Sequence, residues 1–156
     1  MKRILLLLIS ISMMSCGASK TVRASKKIIK GNWSLNTITY SQQGTYNVTL
    51  LDDASKSCFE ASTWQFIPNN NTGIYTINSS NCSNGERNFV FTIQEVDDTT
   101  GLYDVLLKPT NAKNKSETNQ GFRLNLSMLS ETEMQWKQTL TVEGKPFTIT
   151  MNFTKL

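Results

Sequence analysis

The stretch Phe147-Thr148-Ile149-Thr150-Met151-Asn152-Phe153-Thr154 alternates large apolar residues with small polar ones from end to end. Successive side chains of an extended strand point to opposite faces, so this spacing sets Phe147, Ile149, Met151 and Phe153 on one face. Upstream, Met134, Trp136, Leu140 and Val142 share a face opposite Glu133, Gln135, Lys137, Thr139 and Thr141. Before that, Phe122, Leu124, Leu126 and Met128 alternate with Arg123, Asn125 and Ser127. The segments meet at Leu129-Ser130-Glu131-Thr132 and Glu143-Gly144-Lys145-Pro146, polar connections of hairpin length. Three such segments in a row make an antiparallel meander with one wet face and one dry face.

The same pattern continues toward the N-terminus in a less regular form. Trp33 to Tyr40 follows Gly31 as a strand. Trp64 and Phe66 begin another, cut by Pro68 and the turn formers Asn69-Asn70-Asn71-Thr72-Gly73. Ile74 to Asn78, Asn88 to Val96 and Leu102 to Leu107 complete the set. Residues 50–60, with Asp52, Asp53 and Ala54 ahead of Cys58, fit a short helix or an irregular loop. About eight strands therefore follow one another with no helical pattern between them. Closing such a sheet into an all-β, up-and-down barrel removes its exposed edges and leaves room for side chains or one small ligand. A β-sandwich is the alternative. A membrane-spanning barrel is disfavoured, because several strands are too short and paired aromatic girdles are lacking.

The beginning of the chain predicts its compartment. Lys2-Arg3 precedes an apolar and small run from Ile4 to Met14, the layout of a cleaved secretory signal over residues 1–15. The run is too short to cross a hydrocarbon core of about 30 Å. It ends at Ser15-Cys16-Gly17, which resembles a lipobox and implies lipidation of Cys16. An ordinary secretory signal with an incidental cysteine is the alternative. Gly17 rather than an acid after the cysteine, with no acidic cluster nearby, points to the periplasmic face of an outer membrane. Residues 16–30 then read as a lipidated cysteine and a basic tether, and 31–156 as the folded domain.

The whole chain carries a formal +4. Without Lys2 and Arg3 that falls to +2, and its distribution is uneven. Residues 17–30 hold five bases and no acid, whereas 31–156 hold nine bases and twelve acids, a balance of −3. The basic excess lies beside the expected acyl chains, where it would favour an anionic surface or simply keep a spacer solvated. A mildly acidic domain argues against nucleic acid as a partner. Once Cys16 is lipidated, Cys58 and Cys82 remain as an even pair outside the cytoplasm, and a disulfide is expected.

Several chemistries are disfavoured. The chain has no histidine, the usual neutral-pH base and commonest metal ligand. It has no G-x-S-x-G, Ser-x-x-Lys or phosphate-cradling glycine loop. Asp52-Asp53 and Asp97-Asp98 read as acidic turn residues. No cofactor is implied, and a non-enzymatic role is expected.

Gly31-Asn32-Trp33, the run Ser57 to Trp64, Met134 to Gln138, Val142 to Lys145 and Ile149 to Phe153 together resemble the lipocalin-like domain lipoproteins of Gram-negative bacteria. The resemblance spans most of residues 31–156 and implies a barrel whose closed end is packed by Trp33. Lipocalins often set an arginine from the last strand over that tryptophan. Here the last strand offers Lys155, so the lock is expected to be missing or supplied by Arg87 or Arg123.

If the barrel encloses a ligand, its apolar faces form the lining. Phe89, Phe91, Leu124, Leu126, Met128, Met134, Trp136, Ile149 and Met151 are the candidates, most of them serving as core. Gln138 stands out because it interrupts the apolar face of its strand, and a buried amide needs a partner. The leading expectation is a membrane-anchored barrel that binds a small apolar molecule or lipid in the cell envelope. The competing one is a protein-interaction module with a packed core, either an envelope-assembly accessory or a hydrolase inhibitor. The polar segment from Pro109 to Gln120 would be its binding loop.

Overall fold

The computed structural model describes residues 19–97 and 102–156, with the backbone alone at 95–97 and 102. The signal segment, Cys16 and Asp98 lie outside the described residues. A helix, α1 (Lys20–Ile29), leads into β1 (Gly31–Tyr40). An excursion follows with a small ribbon, β2 (Thr49–Leu50) and β3 (Ala54–Ser55), and one helical turn, α2 (Lys56–Phe59). Seven strands complete the chain: β4 (Ser62–Ile67), β5 (Thr72–Ile77), β6 (Gly85–Asp97), β7 (Leu102–Thr110), β8 (Phe122–Leu129), β9 (Glu133–Val142) and β10 (Lys145–Lys155).

The strands close antiparallel in the order β1-β10-β9-β8-β7-β6-β5-β4, the expected up-and-down barrel, and closure removes the sandwich alternative. The C-terminal alternation decides the register: Phe147 faces Leu140, Ile149 faces Gln138 and Met151 faces Trp136. Glu143 and Gly144 make a two-residue turn, both at positive φ (51° and 75°), which matches the right-handed twist of the paired strands.

Two bulges redirect side chains. One in β1 between Leu35 and Thr37 keeps Leu35 and Ile38 inside while Asn36 and Thr37 face out. The other, in β8 between Leu126 and Met128, has a larger consequence. The extra residue turns Met128 outward to 42 % exposure, so Met128 does not line the interior as its alternation predicted.

Residues 20–29, expected as a flexible basic tether, form a helix packed on the barrel end. The Ser19 side chain caps it by accepting from the Val22 amide at 3.2 Å, and Lys26 and Lys27 sit favourably in its last turn. A ten-residue helix is marginal alone, so burial of Val22, Ser25 and Ile29 is what holds it. Trp33, fully buried beneath it, donates from Nε1 to the Ile29 carbonyl at 2.8 Å. Lys155 Nζ lies 5.1 Å from the Trp33 ring centre and donates to the Ile28 carbonyl at 2.7 Å. The cationic lock on Trp33 is therefore Lys155 itself. Arg87 and Arg123 are engaged elsewhere, on Asp53 and Asp104.

Candidate functional site

The strand directions give the barrel two unlike ends. The closed end carries α1, Trp33 and Lys155. The opposite end, the mouth, gathers the β1–β4 excursion, the β5–β6 loop, the loop of residues 111–121 and the β9–β10 turn.

Between the ends the interior is filled. Trp64 is the hub of an aromatic network, with its ring centre 4.5 Å from Tyr75, 5.6 Å from Phe89, 5.5 Å from Trp136 and 5.7 Å from Phe153. Phe66 continues it to Phe91 at 5.3 Å and to Trp136 at 5.8 Å. Of the residues expected to line a ligand site, Phe91, Leu126, Met134, Trp136 and Met151 are brought together here as buried core. They belong to one buried cluster. Trp136 is fully buried, and its indole N–H has no hydrogen-bond partner, an omission worth about 1–3 kcal/mol. Gln138 lies one step toward the mouth on the same strand, half-buried and opposite Ile149.

The mouth is covered by the excursion between β1 and β4, which acts as a lid. Leu50, Leu51 and Phe59 point down from it and are buried. The Phe59 ring sits 5.4 Å from Tyr75 and 6.1 Å from Trp64, on top of the aromatic network. The lid backbone is tightly turned: Leu51 and Asp52 both hold positive φ, at 51° and 52°. One edge is fastened covalently, by the disulfide between Cys58 and Cys82 of the β5–β6 loop, as the cysteine count predicted.

The other edge is fastened by Asp53. Its carboxylate accepts from the Tyr75 hydroxyl at 2.8 Å and from Arg87 Nε at 3.0 Å. Arg87 also donates to the carbonyls of Gly85 and Ser83, so one guanidinium ties the lid to the β5–β6 loop. Burial and the Asp53 carboxylate push the Tyr75 hydroxyl well above the usual phenol range. Gln120 donates to Asp52 and brings the 111–121 loop onto the lid. Of the residues between Pro109 and Gln120, Gln120 thus reaches the lid, while Asn111, Ser116 and Thr118 bond within the loop itself. Asp52 and Asp53 do sit in a turn as expected, but Asp53 is also the clasp. Nothing in a lone acidic pair of sequence neighbours announces that role, because both of its partners are distant in the chain.

On the far side of the mouth, Tyr40 packs against Phe147 at 5.2 Å and Tyr46 at 5.6 Å, with Lys56 Nζ 5.5 Å from its ring centre. Burial, with the Glu60 carboxylate nearby, raises its hydroxyl above the ordinary value, and that oxygen has no hydrogen-bond partner. Between the lid and the β6–β7 rim lies a cavity of about 220 Å³ lined by Leu51, Tyr75, Arg87, Thr110, Gln120 and Phe122. That is below the roughly 300–1,000 Å³ of ordinary small-molecule sites, so a guest of that size requires the lid to move.

A larger depression of about 480 Å³ lies on the outer wall of β6, β7 and β8, between Val90, Leu106, Lys108 and Arg123. Its two cations are already committed, Arg123 to Asp104 at 2.6 Å and Lys108 to Asn119. It is an open wall, whereas the mouth has apolar contents, a polar rim and a cover. Among the described residues, no group of three or more carboxylate, thiol or imidazole side chains converges to hold a metal.

No protein-family model and no curated protein matches the chain. Its fold is similar to a solved lipocalin-like protein from Bacteroides uniformis, at 9 % identity and a TM-score of 0.50, over 83 % of this chain and 99 % of that one. At that identity the likeness bears on architecture, and the architecture is a lipocalin-like eight-stranded barrel.

Proposed function

We propose that the chain is an envelope lipoprotein, held at the periplasmic face of an outer membrane through Cys16, whose barrel takes up a small apolar molecule or lipid at its mouth. The observation that carries this reading is the lid. Leu50, Leu51 and Phe59 are buried at the mouth as an apolar plug, with Phe59 seated on Trp64 and Tyr75, and the fastenings at the rim are one disulfide and the polar Asp53 cluster. An apolar guest replaces the plug without exposing the rings beneath it. The unpartnered indole N–H of Trp136 lies deeper on the same path and suits a guest with one acceptor oxygen. The role is binding rather than catalysis.

The test is native mass spectrometry of the chain purified from a bacterial envelope, before and after incubation with envelope lipid extract. A bound apolar mass, lost on denaturation and more abundant in Arg87→Gln, is the expected result. A clean unliganded mass in both proteins overturns the reading.

One observation favours a second reading, a protein-interaction module. Pairing of β8 with β9 ends at Asn125 and Lys137, so β9 above Lys137 pairs with β10 alone. Leu140 and Val142 on that segment are 40 % and 42 % exposed. An unpaired strand edge with exposed apolar side chains suits addition of a partner's strand. A clean unliganded mass together with a captured envelope protein, lost on Leu140→Lys, selects this reading.

A further inference from the structure

We infer that the closed end of the barrel is a membrane-docking face that seats on an anionic bilayer surface and points the mouth away from it. The inference rests on the anchor at Cys16 and adds what the anchor alone does not provide, an orientation.

Three observations meet at that end. The first is charge. Helix α1 buries Val22, Ser25 and Ile29 against the barrel and leaves Lys20, Arg23, Lys27 and Lys30 exposed on the opposite side. No acid occurs in the helix; among the described residues at this end the acids include Glu95 and Asp97 at the end of β6, against which α1 packs, and Glu131 and Glu133 where β8 passes into β9. The cations are thus fixed on a rigid surface rather than dispersed along a tether.

The second is apolar exposure. The exposed large apolar side chains of the structure fall at the two barrel ends, and three of them, Ile67, Met128 and Leu156, rim the closed end at 38 %, 42 % and 72 % exposure. Beside Met128, a depression of about 300 Å³ between α1 and β8 is lined by Ala24, Ile28, Leu126 and Leu129. Basic residues with apolar side chains standing among them suit a headgroup layer, where ammonium and guanidinium groups meet phosphate and the apolar tips reach the acyl boundary.

The third is reach. Cys16 is four residues from the start of α1, and four residues span at most about 14 Å. An acyl group inserted at Cys16 keeps the start of α1 close enough to the surface for its cations to come within the Debye length of about 8 Å at physiological salt. A barrel so tethered meets the bilayer with the α1 end first.

The test uses the full chain, purified in its mature form from a bacterial envelope and reconstituted in vesicles of equal parts phosphatidylcholine and phosphatidylglycerol. The N-terminal peptide is first weighed for acyl mass. A fluorophore is placed at Met128→Cys or at Val142→Cys, both exposed positions, and quenched by headgroup-nitroxide lipid. Quenching several-fold stronger at 128 than at 142 is expected. The ratio is expected to fall toward one in vesicles of phosphatidylcholine alone, and in a variant with Lys20, Arg23 and Lys27 changed to Gln. At about fivefold per cation, that variant loses on the order of a hundredfold in docked over undocked population. Equal quenching at the two positions in anionic vesicles, with Cys16 acylated, overturns the docking face and leaves the anchor. If Cys16 carries no acyl mass, the anchor fails. Sedimentation of the native chain, but not the Gln variant, with anionic vesicles then still supports the face, and sedimentation of neither overturns it.

Discussion

Removing the disulfide is the sharpest perturbation of the lid. Cys58 and Cys82 are separated by 24 residues, so the bridge closes a loop of that length in the unfolded chain. The chain-entropy model assigns such a loop about 3.5 kcal/mol at 25 °C. Marginal stability of about 5–15 kcal/mol makes this a quarter to two-thirds of the total. Converted through the unfolding entropy of a chain of this length, it lowers the melting temperature by roughly 11 °C. Cys58→Ser with Cys82→Ser is the suitable variant, because both positions are half-buried and Ser55 Oγ already lies 3.3 Å from Cys58 Sγ as a polar neighbour. Urea and thermal unfolding followed by near-ultraviolet circular dichroism read the global loss. The local effect is read at Lys56, the single trypsin site between residues 41 and 61, whose side chain is 39 % exposed but sits in α2. Cleavage there requires the lid to open, and it should accelerate tenfold or more in the variant. A stability change below about 1 kcal/mol with unchanged cleavage at Lys56 refutes the reasoning. The lid would then be held by its buried side chains and the Asp53 cluster alone.

Two further outcomes follow from individual positions. Gly73→Ala should destabilise by about 1–3 kcal/mol in urea unfolding, because an added Cβ would stand 2.2 Å from the Phe89 ring and 2.6 Å from the Gln65 carbonyl oxygen, too close for either to yield freely. Tyr75 should produce an alkaline loss of stability. Its hydroxyl holds its proton more tightly folded than unfolded, so its contribution is complete below about pH 10 and declines above it, by up to about 1.4 kcal/mol per pH unit. Unfolding measured from pH 8 to 11 should show that slope flattened in Tyr75→Phe, and an unchanged slope would remove Tyr75 as its source.

The barrel was legible because each strand of a half-wet sheet repeats with period two, and the last three strands keep that period nearly unbroken. The departures are local. A single extra residue in β8 sends Met128 outward, and the alternation of Phe122, Leu124, Leu126 and Met128 carries no trace of it. Helix α1 was hidden because its buried face is only Val22, Ser25 and Ile29, one of them polar, among four cations that read as solvated. Its stability comes from the barrel end, which no local pattern reports. The lid was hidden for a related reason. Leu50, Leu51 and Phe59 follow neither period, since each is aimed by a tight turn or a single helical turn, and Phe59's partners Trp64 and Tyr75, like Asp53's partner Arg87, belong to strands further along the chain. Trp33 was placed at the closed end by its Gly-x-Trp setting, and the structure puts it there. What the sequence comparison could not supply was that a lysine on the last strand suffices to lock it.

The energetics of the lid also constrain what the mouth can accept. Opening it exposes Leu50, Leu51 and Phe59, each worth about 1.5–3 kcal/mol when buried, or roughly 5–9 kcal/mol together. A ligand bound at about 1 μM contributes about 8 kcal/mol in all. That figure is net of the opening cost, so a guest that offered only hydrogen bonds would need contacts worth roughly 13–17 kcal/mol to bind that tightly. A guest that covers Trp64 and Tyr75 with apolar surface of its own recovers most of that loss, because the rings remain out of water. Under the proposed function, the molecules expected to hold this barrel open are those whose apolar part is at least as large as the three side chains they displace. An acyl chain meets that condition, and a sugar or an amino acid does not.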